Sequence, residues 1–292
     1  MPRIVAGSNT VELSQKVSGL TKARIVRKSV KKFPDGETYV RLGDSDFKGE
    51  NVFIIHSLYP MQNENLIELF LTINAVKEGG GKPVAVIPYF AYGRQDKIFL
   101  KGEAFSLKAV ATILKALGTE RLITVDAHFH RKPGDYRLFG LRGTNLSAAK
   151  LLAEHVRKER GALVIAGPDE GSKDFLTGLE GAVFLKKGKR MLEGANVERK
   201  YEVEIALPKN LKGKNVLVLD DMTSSGKTMM AAAKALKERG NRVYVACTHG
   251  LFTDEAVDGL KKYTDYVICT DTVKTVCSKV SVAGIIAEEL KK

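Results

Sequence analysis

The sequence predicts an α/β protein whose mainly parallel β-sheets are flanked by helices. Short β-branched runs alternate with amphipathic helical segments along the chain, which is typical of β-α-β crossovers. A strand–loop–helix–strand unit begins at Asn51 and recurs from Asn215, about 160 residues later. Two copies are too few for a solenoid, so we expect two tandem α/β domains.

The individual elements follow from the same periodicities. Apolar runs predict buried strands at residues 51–55, 83–90, 121–126, 162–167, 215–221, 242–250 and 266–271. Amphipathic segments predict helices at residues 66–80, 105–118, 145–161 and 227–240.

The expected domains are residues 1–145 and 146–292, with the last helix able to pack back on the N-terminal domain. Their boundary is placed at the glycine-containing stretch FGLRGTN, which precedes a predicted helix. The second copy of the repeat carries Asp220-Asp221 at its strand end, where the first copy carries His56-Ser57. We therefore expect the chemistry in the second domain.

Composition limits the class of protein. Of 292 residues, 44% are hydrophobic and 28% are charged, which indicates a globular chain. An apolar run of about 18 residues is missing, so we expect no transmembrane helix. The start MPRIVAGSNT has no signal-peptide core, which predicts a cytoplasmic protein. The three cysteines form no CxxC pair, so we expect buried reduced thiols.

The net charge of +13 suits a polyanionic partner. The chain has no tryptophan and no basic run interleaved with aromatic residues, the pattern that stacks nucleic-acid bases. We therefore expect phosphorylated metabolites as ligands, with neither nucleic acid nor membrane as a partner.

The loop after Asp220-Asp221 is predicted to hold a phosphate. It reads Ser224, Ser225, Gly226, Lys227, Thr228 and leads into a helix, so backbone N–H groups and hydroxyls converge on a helix N-terminus. A Walker A loop would need glycine where Asp221 stands, and a carboxylate there would repel phosphates. Paired carboxylates instead suit vicinal hydroxyls, which indicates a sugar phosphate of about five carbons. The alternative is that the two acids only cap the helix.

Several segments carry a family resemblance. VLVLDDMTSSGKT (216–228) resembles the ribose-5-phosphate loop of type I phosphoribosyltransferase folds, which implies two tandem domains of that type. Four more segments, in order, resemble the ribose-phosphate diphosphokinase (PRPP synthetase) family: FPDGE (33–37), PYFAYGRQD (88–96), TVDAHFH (124–130) and GPDEGS (167–172). Serine at position 224 and the short chain resemble the archaeal form of the family.

The resemblance implies roles for named residues. ATP-binding residues would be Phe33, Asp35, Gly36, Glu37, Arg94, Gln95 and Asp96. Ribose-5-phosphate-binding residues would be Asp220, Asp221 and the loop from Ser224 to Thr228. Metal-binding residues would be His128 and Asp169, with Mg²⁺ as the cofactor. His128 could equally hold phosphate oxygens or a metal-bound water, because Mg²⁺ prefers oxygen ligands. By itself, FPDGE is also a good turn sequence, and Asp169 suits a turn.

One stretch departs from the family. The family's mobile catalytic loop has a Lys-x-Arg pair, whereas this chain has FLKKGKRMLEG (184–194). Lys187 is the candidate catalytic lysine, and either Lys189 or Arg190 replaces the family arginine. The alternative is a solvated cationic loop.

The implied activity is diphosphoryl transfer from MgATP to ribose 5-phosphate, giving AMP and PRPP for nucleotide biosynthesis. Family resemblance also implies a homodimer or larger assembly, with the FPDGE loop donated by a neighbouring subunit. The alternatives are a phosphoribosyltransferase and a catalytically inactive, PRPP-synthetase-like regulatory partner.

Overall fold

A computed structural model describes residues 2–191, 201–207 and 211–292. The side chains of residues 187–191, 201–204 and 254 are outside this description. The chain divides into two compact units, residues 1–147 with 281–292, and residues 148–280. Each unit is built on a mainly parallel sheet with helices, so the predicted fold class is confirmed.

With elements numbered along the chain, the first unit contains β1 Arg3–Ala6, α1 Val11–Thr21, β2 Arg24–Val26, β3 Lys28–Lys32, β4 Thr38–Leu42, β5 Asn51–Ile55, α2 Gln62–Glu78, β6 Lys82–Ile87, α3 Ser106–Ala116, β7 Arg121–Val125, β8 Gly134–Leu138, β9 Leu141–Leu146 and α7 Ala283–Leu290. Its main sheet has the order β2-β1-β5-β6-β7-β9-β8 and is parallel except for the β8–β9 hairpin. Strands β3 and β4 form a separate antiparallel hairpin.

The second unit contains α4 Ala149–Arg160, β10 Val164–Gly167, β11 Val183–Phe184, β12 Lys186–Met191, β13 Tyr201–Ala206, β14 Asn215–Thr223, α5 Lys227–Glu238, β15 Arg242–Gly250, α6 Asp254–Lys261, β16 Tyr266–Thr270 and β17 Ser278–Val280. Its parallel sheet has the order β11-β10-β14-β15-β16-β17, and β12 pairs with β13 in a separate antiparallel ribbon.

Strand β14 is apolar on both faces because helices cover both sides of the sheet. Leu217 and Leu219 pack in the cluster that contains residues of α4. Val216 and Val218 pack in the cluster that contains residues of α5. Two-sided burial explains why this strand reads as a continuous hydrophobic run instead of an alternating one.

The end of one strand was predicted wrongly from the sequence. The run predicted as a strand over 83–90 leaves the sheet after Ile87, although Tyr89 and Phe90 are buried, because apolar burial does not require strand geometry. The stretch FGLRGTN, where the sequence placed the domain boundary, forms most of β9, and the chain passes from the first unit to the second just after it, between Ser147 and Ala148. Its glycine has a packing role, since a Cβ at Gly143 would lie 2.3 Å from Cζ of Tyr136.

The three cysteines pack together in the second unit. Cys247, Cys269 and Cys277 are buried and unbridged, as the sequence led us to expect. Burial raises the pKa of all three thiols, which keeps them protonated and poorly reactive.

His56, at the end of β5, makes the stability of the first unit sensitive to pH. Its side chain is fully buried, and burial lowers the pKa of its imidazole to about 4. Between pH 6.5 and 4 the imidazole of His56 is therefore protonated in the unfolded chain but neutral in the folded state. The free energy of unfolding should fall by about 3 kcal/mol as pH drops through this window, at roughly 1.4 kcal/mol per pKa unit.

Chemical denaturation from pH 7 to pH 4 measures this effect. We expect the His56→Gln variant to lose less stability over that range than the wild-type protein. Glu68, whose pKa is also lowered in the folded state and partly by His56, adds a loss in the same direction that the substitution also reduces. The matched change His155→Gln, at a partly exposed histidine of α4, controls for the loss of an imidazole. Parallel pH curves for wild type and His56→Gln would contradict the prediction.

Candidate active site

Asp220 and Asp221 lie in β14 and not beyond it. The strand continues to Thr223, so neighbouring side chains alternate between the two faces of the sheet. Asp220 is on the face that α5 covers and is partly exposed, whereas Asp221 is on the opposite face and is buried. The two carboxylates are therefore not side by side.

The loop from Ser224 to Gly226 joins β14 to α5. Gly226 precedes the first residue of α5 with φ of 71°, a left-handed conformation that favours glycine. Backbone bonds hold the loop, since the N–H of Thr253 donates to the carbonyl oxygen of Ser224 at 3.3 Å. Ser225 and Lys227 are exposed, while Thr228 is partly buried. This arrangement presents the N-terminus of a twelve-residue helix on the face that carries Asp220.

Asp169 follows β10, the strand that pairs with β14. Its Oδ1 accepts a hydrogen bond of 2.8 Å from the N–H of Gly171, so the carboxylate shapes the turn that contains Glu170–Ser172. Ser172 in turn donates from Oγ to Oδ1 of Asp220 at 3.3 Å. The sequence-predicted residues Asp169 and Asp220 are thus brought to one edge of the second unit's sheet. Ser172 belongs to the segment GPDEGS that the sequence singled out, but it was not among the predicted site residues.

The segment FPDGE forms the turn of the β3–β4 hairpin. The N–H of Phe33 donates to the carbonyl oxygen of Glu37 at 2.8 Å, and Gly36 has φ of 95°. Asp35 closes the turn by accepting from the N–H of Glu37 at 3.1 Å. Phe33 nevertheless leaves half of its side chain exposed, with its ring edge-on to Tyr39. The turn therefore displays a flat apolar face beside two carboxylates.

Arg94, Gln95 and Asp96 lie in the irregular segment that follows β6. Arg94 and Asp96 are exposed, while Gln95 donates to Oε2 of Glu103 at 3.2 Å. The same oxygen of Glu103 accepts from the N–H groups of Leu100 and Phe99, and these bonds lower the pKa of its carboxyl. Glu103 thus stabilises this segment by binding both a side chain and backbone groups of the segment.

His128 lies in the loop that follows β7. The Nη2 of Arg131 is 3.3 Å from its Nε2, so a cation stands beside this imidazole. The loop itself is held by Asn145 of β9, which is buried. Its Oδ1 accepts from Oγ1 of Thr124 and the N–H of Ala127, and its Nδ2 donates to the carbonyl oxygens of His130 and Lys132, over 2.7–3.1 Å. These four bonds fill the capacity of the amide.

Comparison with known proteins identifies the family. The profile of the N-terminal domain of ribose phosphate pyrophosphokinase matches residues 2–118, and that of the phosphoribosyl synthetase-associated domain matches residues 188–291. The chain is 37% identical to a ribose-phosphate pyrophosphokinase of Methanopyrus kandleri, over 99% of this chain and 98% of the relative. The chain belongs to the ribose-phosphate pyrophosphokinase family.

Further relatives agree with this assignment. A ribose-phosphate pyrophosphokinase of Pyrococcus furiosus is 36% identical, over 96% of this chain and 97% of the relative. The crystal structure of phosphoribosylpyrophosphate synthetase from Mycobacterium smegmatis is similar in fold, with a TM-score of 0.82 and 26% identity, covering 99% and 97% of the two chains. The resemblance to an archaeal-like ribose-phosphate diphosphokinase, and the enzyme class that it implied, are confirmed.

Magnesium fits only part of the predicted donor set. The described residues contain no group of three or more His, Cys, Asp and Glu side chains arranged to hold a metal. Mg²⁺ commonly binds through one or two carboxylates together with substrate phosphates. Asp169 could supply one such carboxylate. The guanidinium of Arg131 beside His128 disfavours a second cation there and favours a phosphate.

The predicted catalytic side chains of Lys187, Lys189 and Arg190 lie outside the described residues. Their backbone belongs to β12, which pairs with β13 in antiparallel register from Lys186↔Ala206 to Met191↔Tyr201. In the part of the chain that the structure describes, no helix is long and apolar enough to cross a membrane.

Asn145 yields a direct test of how the His128 loop is held. We expect Asn145→Ala to lower the free energy of unfolding by about 2–4 kcal/mol, because several buried backbone groups lose their partners. Amide exchange at Ala127 should also accelerate. Asn215→Ala removes one 3.3 Å bond from a partly exposed amide and serves as the control. Similar losses in the two variants would contradict the assignment.

Proposed function

We propose that this chain transfers the β,γ-diphosphoryl group of ATP to the anomeric hydroxyl of ribose 5-phosphate. In this reaction the anomeric oxygen bonds to the β-phosphorus and the hydroxyl proton is released. The bond from that phosphorus to the α–β bridging oxygen breaks, and AMP leaves with the oxygen. Family membership supports the reaction class, and the products are AMP and PRPP.

The observation that carries the proposal is that Asp220 and the N-terminus of α5 lie on the same face of the second unit's sheet. A carboxylate accepts hydrogen bonds from sugar hydroxyls, while a helix N-terminus receives a phosphate. We assign Asp220 the hydroxyl contact and Ser224 to Thr228 the 5-phosphate. Asp221 is buried on the other face, so we propose that it reaches a second hydroxyl only after a local rearrangement of the strand end.

The ATP site is proposed to use the exposed residues of the first unit. Phe33 offers its half-exposed ring to the adenine, and Asp35 and Glu37 offer acceptors for an exocyclic amine, with Gly36 completing the turn. Arg94 supplies a planar donor fork for phosphate, with Gln95 and Asp96 beside it. His128, next to Arg131, is suited to phosphate oxygens.

Charge neutralisation is the main catalytic task in such a transfer. Mg²⁺, when bound with ATP, would neutralise phosphate charge and polarise the bond that breaks. Asp169 is proposed to orient a metal-bound water or the ion itself. Lys187, with Lys189 or Arg190, is proposed to stabilise the negative charge on the transferred group.

Assembly and location complete the proposal. A homodimer would let the exposed hairpin turn at Phe33 complete a neighbouring subunit's ATP site, and light scattering after gel filtration would test it. A cytoplasmic location, where ATP and sugar phosphates are available, remains a prediction that cell fractionation would test.

One assay tests the function. Protein, MgATP and ribose 5-phosphate are incubated, and AMP and PRPP are quantified with and without the sugar. We expect sugar-dependent formation of both products in equal amounts. A phosphoribosyltransferase would consume PRPP with a base and form no AMP from ATP, and an inactive regulatory partner would form neither product. Either result would overturn the proposal.

Asp220→Ala tests the ribose assignment. Loss of a charged acceptor should raise the KM for ribose 5-phosphate by at least about tenfold, with the KM for MgATP changed less than about twofold. Steady-state kinetics measure both constants. Glu238→Gln, an acid at the other end of α5, is the control. An unchanged sugar KM in Asp220→Ala would remove this residue from the site.

A further inference from the structure

A polar cluster occupies the first unit where β5 ends and α2 passes. Glu68 of α2 is its centre. The carboxylate Oε1 accepts from Nζ of Lys28 at 2.5 Å, and from Oγ and the N–H of Ser8 at 2.9 and 3.0 Å. His56 lies beside it, with Nε2 3.9 Å from Oε1 of Glu68 and 3.0 Å from Oδ1 of Asn65.

The cluster is shielded from solvent at its ionic centre. The side chains of Lys28 and Glu68 are 7% and 8% exposed, and His56 is fully buried. His56 also occupies the position in the first repeat that Asp220 occupies in the second. Its ring packs on Gly7, where a Cβ would lie 2.5 Å from Cγ of His56. The first unit's strand end therefore carries the buried ring of His56 where the second unit carries the partly exposed carboxylate of Asp220.

The charges within the cluster follow from its contacts. Burial by itself would raise the pKa of Glu68, but His56, Lys28 and the hydrogen bonds from Lys28 and Ser8 outweigh burial and lower it. Burial lowers the pKa of Lys28, against the attraction of Glu68. Removing either partner would leave an uncompensated charge in a dry site, which is far more disruptive than loss of a surface ion pair.

Lys28 connects this cluster to the β3–β4 hairpin. It is the first residue of β3, opposite Leu42 at the end of β4. The N–H of Gly43 donates to the carbonyl oxygen of Arg27 at 2.7 Å, which closes the base of the hairpin beside Lys28. The other end of the hairpin is the turn of residues 33–37. Helix α2 packs against β4, so α2 is the surface on which the hairpin rests.

We propose that Glu68 is a positioning residue that anchors the β3–β4 hairpin through Lys28 and thereby sets where the Phe33–Glu37 turn stands. The link to ATP rests on the proposed function, in which this turn contacts the adenine. A turn at the tip of a two-stranded ribbon is precise only if its base is fixed, because an isolated hairpin is marginally stable. A short buried ion pair to a long helix provides that fixation.

A fluorescent reporter tests the anchor independently of catalysis. The chain has no tryptophan, so Tyr39→Trp places its only indole on β4. Acrylamide quenching and fluorescence anisotropy of that indole then report the mobility of the hairpin. Glu68→Gln, which keeps the side-chain volume, and Lys28→Met, which leaves the Ser8 bonds of Glu68 intact, are made in this background. Glu64→Gln, the same change at an exposed position of α2, is the matched control.

We expect both anchor variants to increase quenching and lower anisotropy. Both should raise the KM for MgATP by about tenfold, as expected for a misplaced contact, and change the KM for ribose 5-phosphate by less than about twofold. The double variant should be no worse than either single variant, and Lys28→Arg should restore most of the binding. Because Lys28→Met and Lys28→Arg do not alter α2, they keep the test open if Glu68→Gln fails to fold.

An immobile reporter in both anchor variants would overturn the proposal, as would a mobile hairpin with an unchanged KM for MgATP. Equal rises in the two KM values would also overturn it, because they would indicate a general structural defect. A parent protein that forms no sugar-dependent AMP would refute the proposed function instead, and the reporter alone would then decide whether Glu68 anchors the hairpin.

Discussion

Parallel strand pairing is the constraint on which the candidate site depends. In the second unit, β10 and β14 pair in parallel, so the residues that follow or end them reach the same edge of the sheet. Asp169 and Asp220 both lie at this edge, where Oγ of Ser172 donates to Asp220, although the two acids are 51 positions apart in the chain. In the first unit, β6 and β7 are also parallel and end at the corresponding edge, and the segments that carry Arg94 and His128 follow them.

The backbone hydrogen bonds between strands end where the candidate site begins. Polar side chains therefore stabilise the loops that follow the strands. Asn145 binds the loop after β7, Glu103 binds the segment after β6, and Asp169 binds the turn after β10. Each uses its oxygen to accept backbone N–H groups that have no sheet or helix partner. Asp169 therefore shapes a turn and is also the residue that we propose to orient the metal ion. Glu68 plays the same part for the β3–β4 hairpin, through its buried bond to Lys28.

Apolar periodicity was sufficient to locate the long elements. The strands of the repeats and the helices between them occur close to where the sequence predicts, because two-sided burial requires unbroken apolar runs. Short elements escaped prediction. The β3–β4 hairpin, with the sequence KSVKK in its first strand, carries too few apolar residues to signal a strand. Strand β9 was not predicted, because Gly143 resembles a loop signal until its contact with Tyr136 is known.

The sequence by itself determined the fold class, the family and the segments that we propose as substrate-binding, because these follow from apolar periodicity and from motifs that are contiguous in the chain. Only the tertiary structure decided how the side chains are distributed. Strand alternation separates Asp220 from Asp221, and distant residues such as Asn145 and Glu68 hold the loops that the motifs supply. Those partners lie on other elements, so their distances depend on packing, which local sequence patterns do not encode.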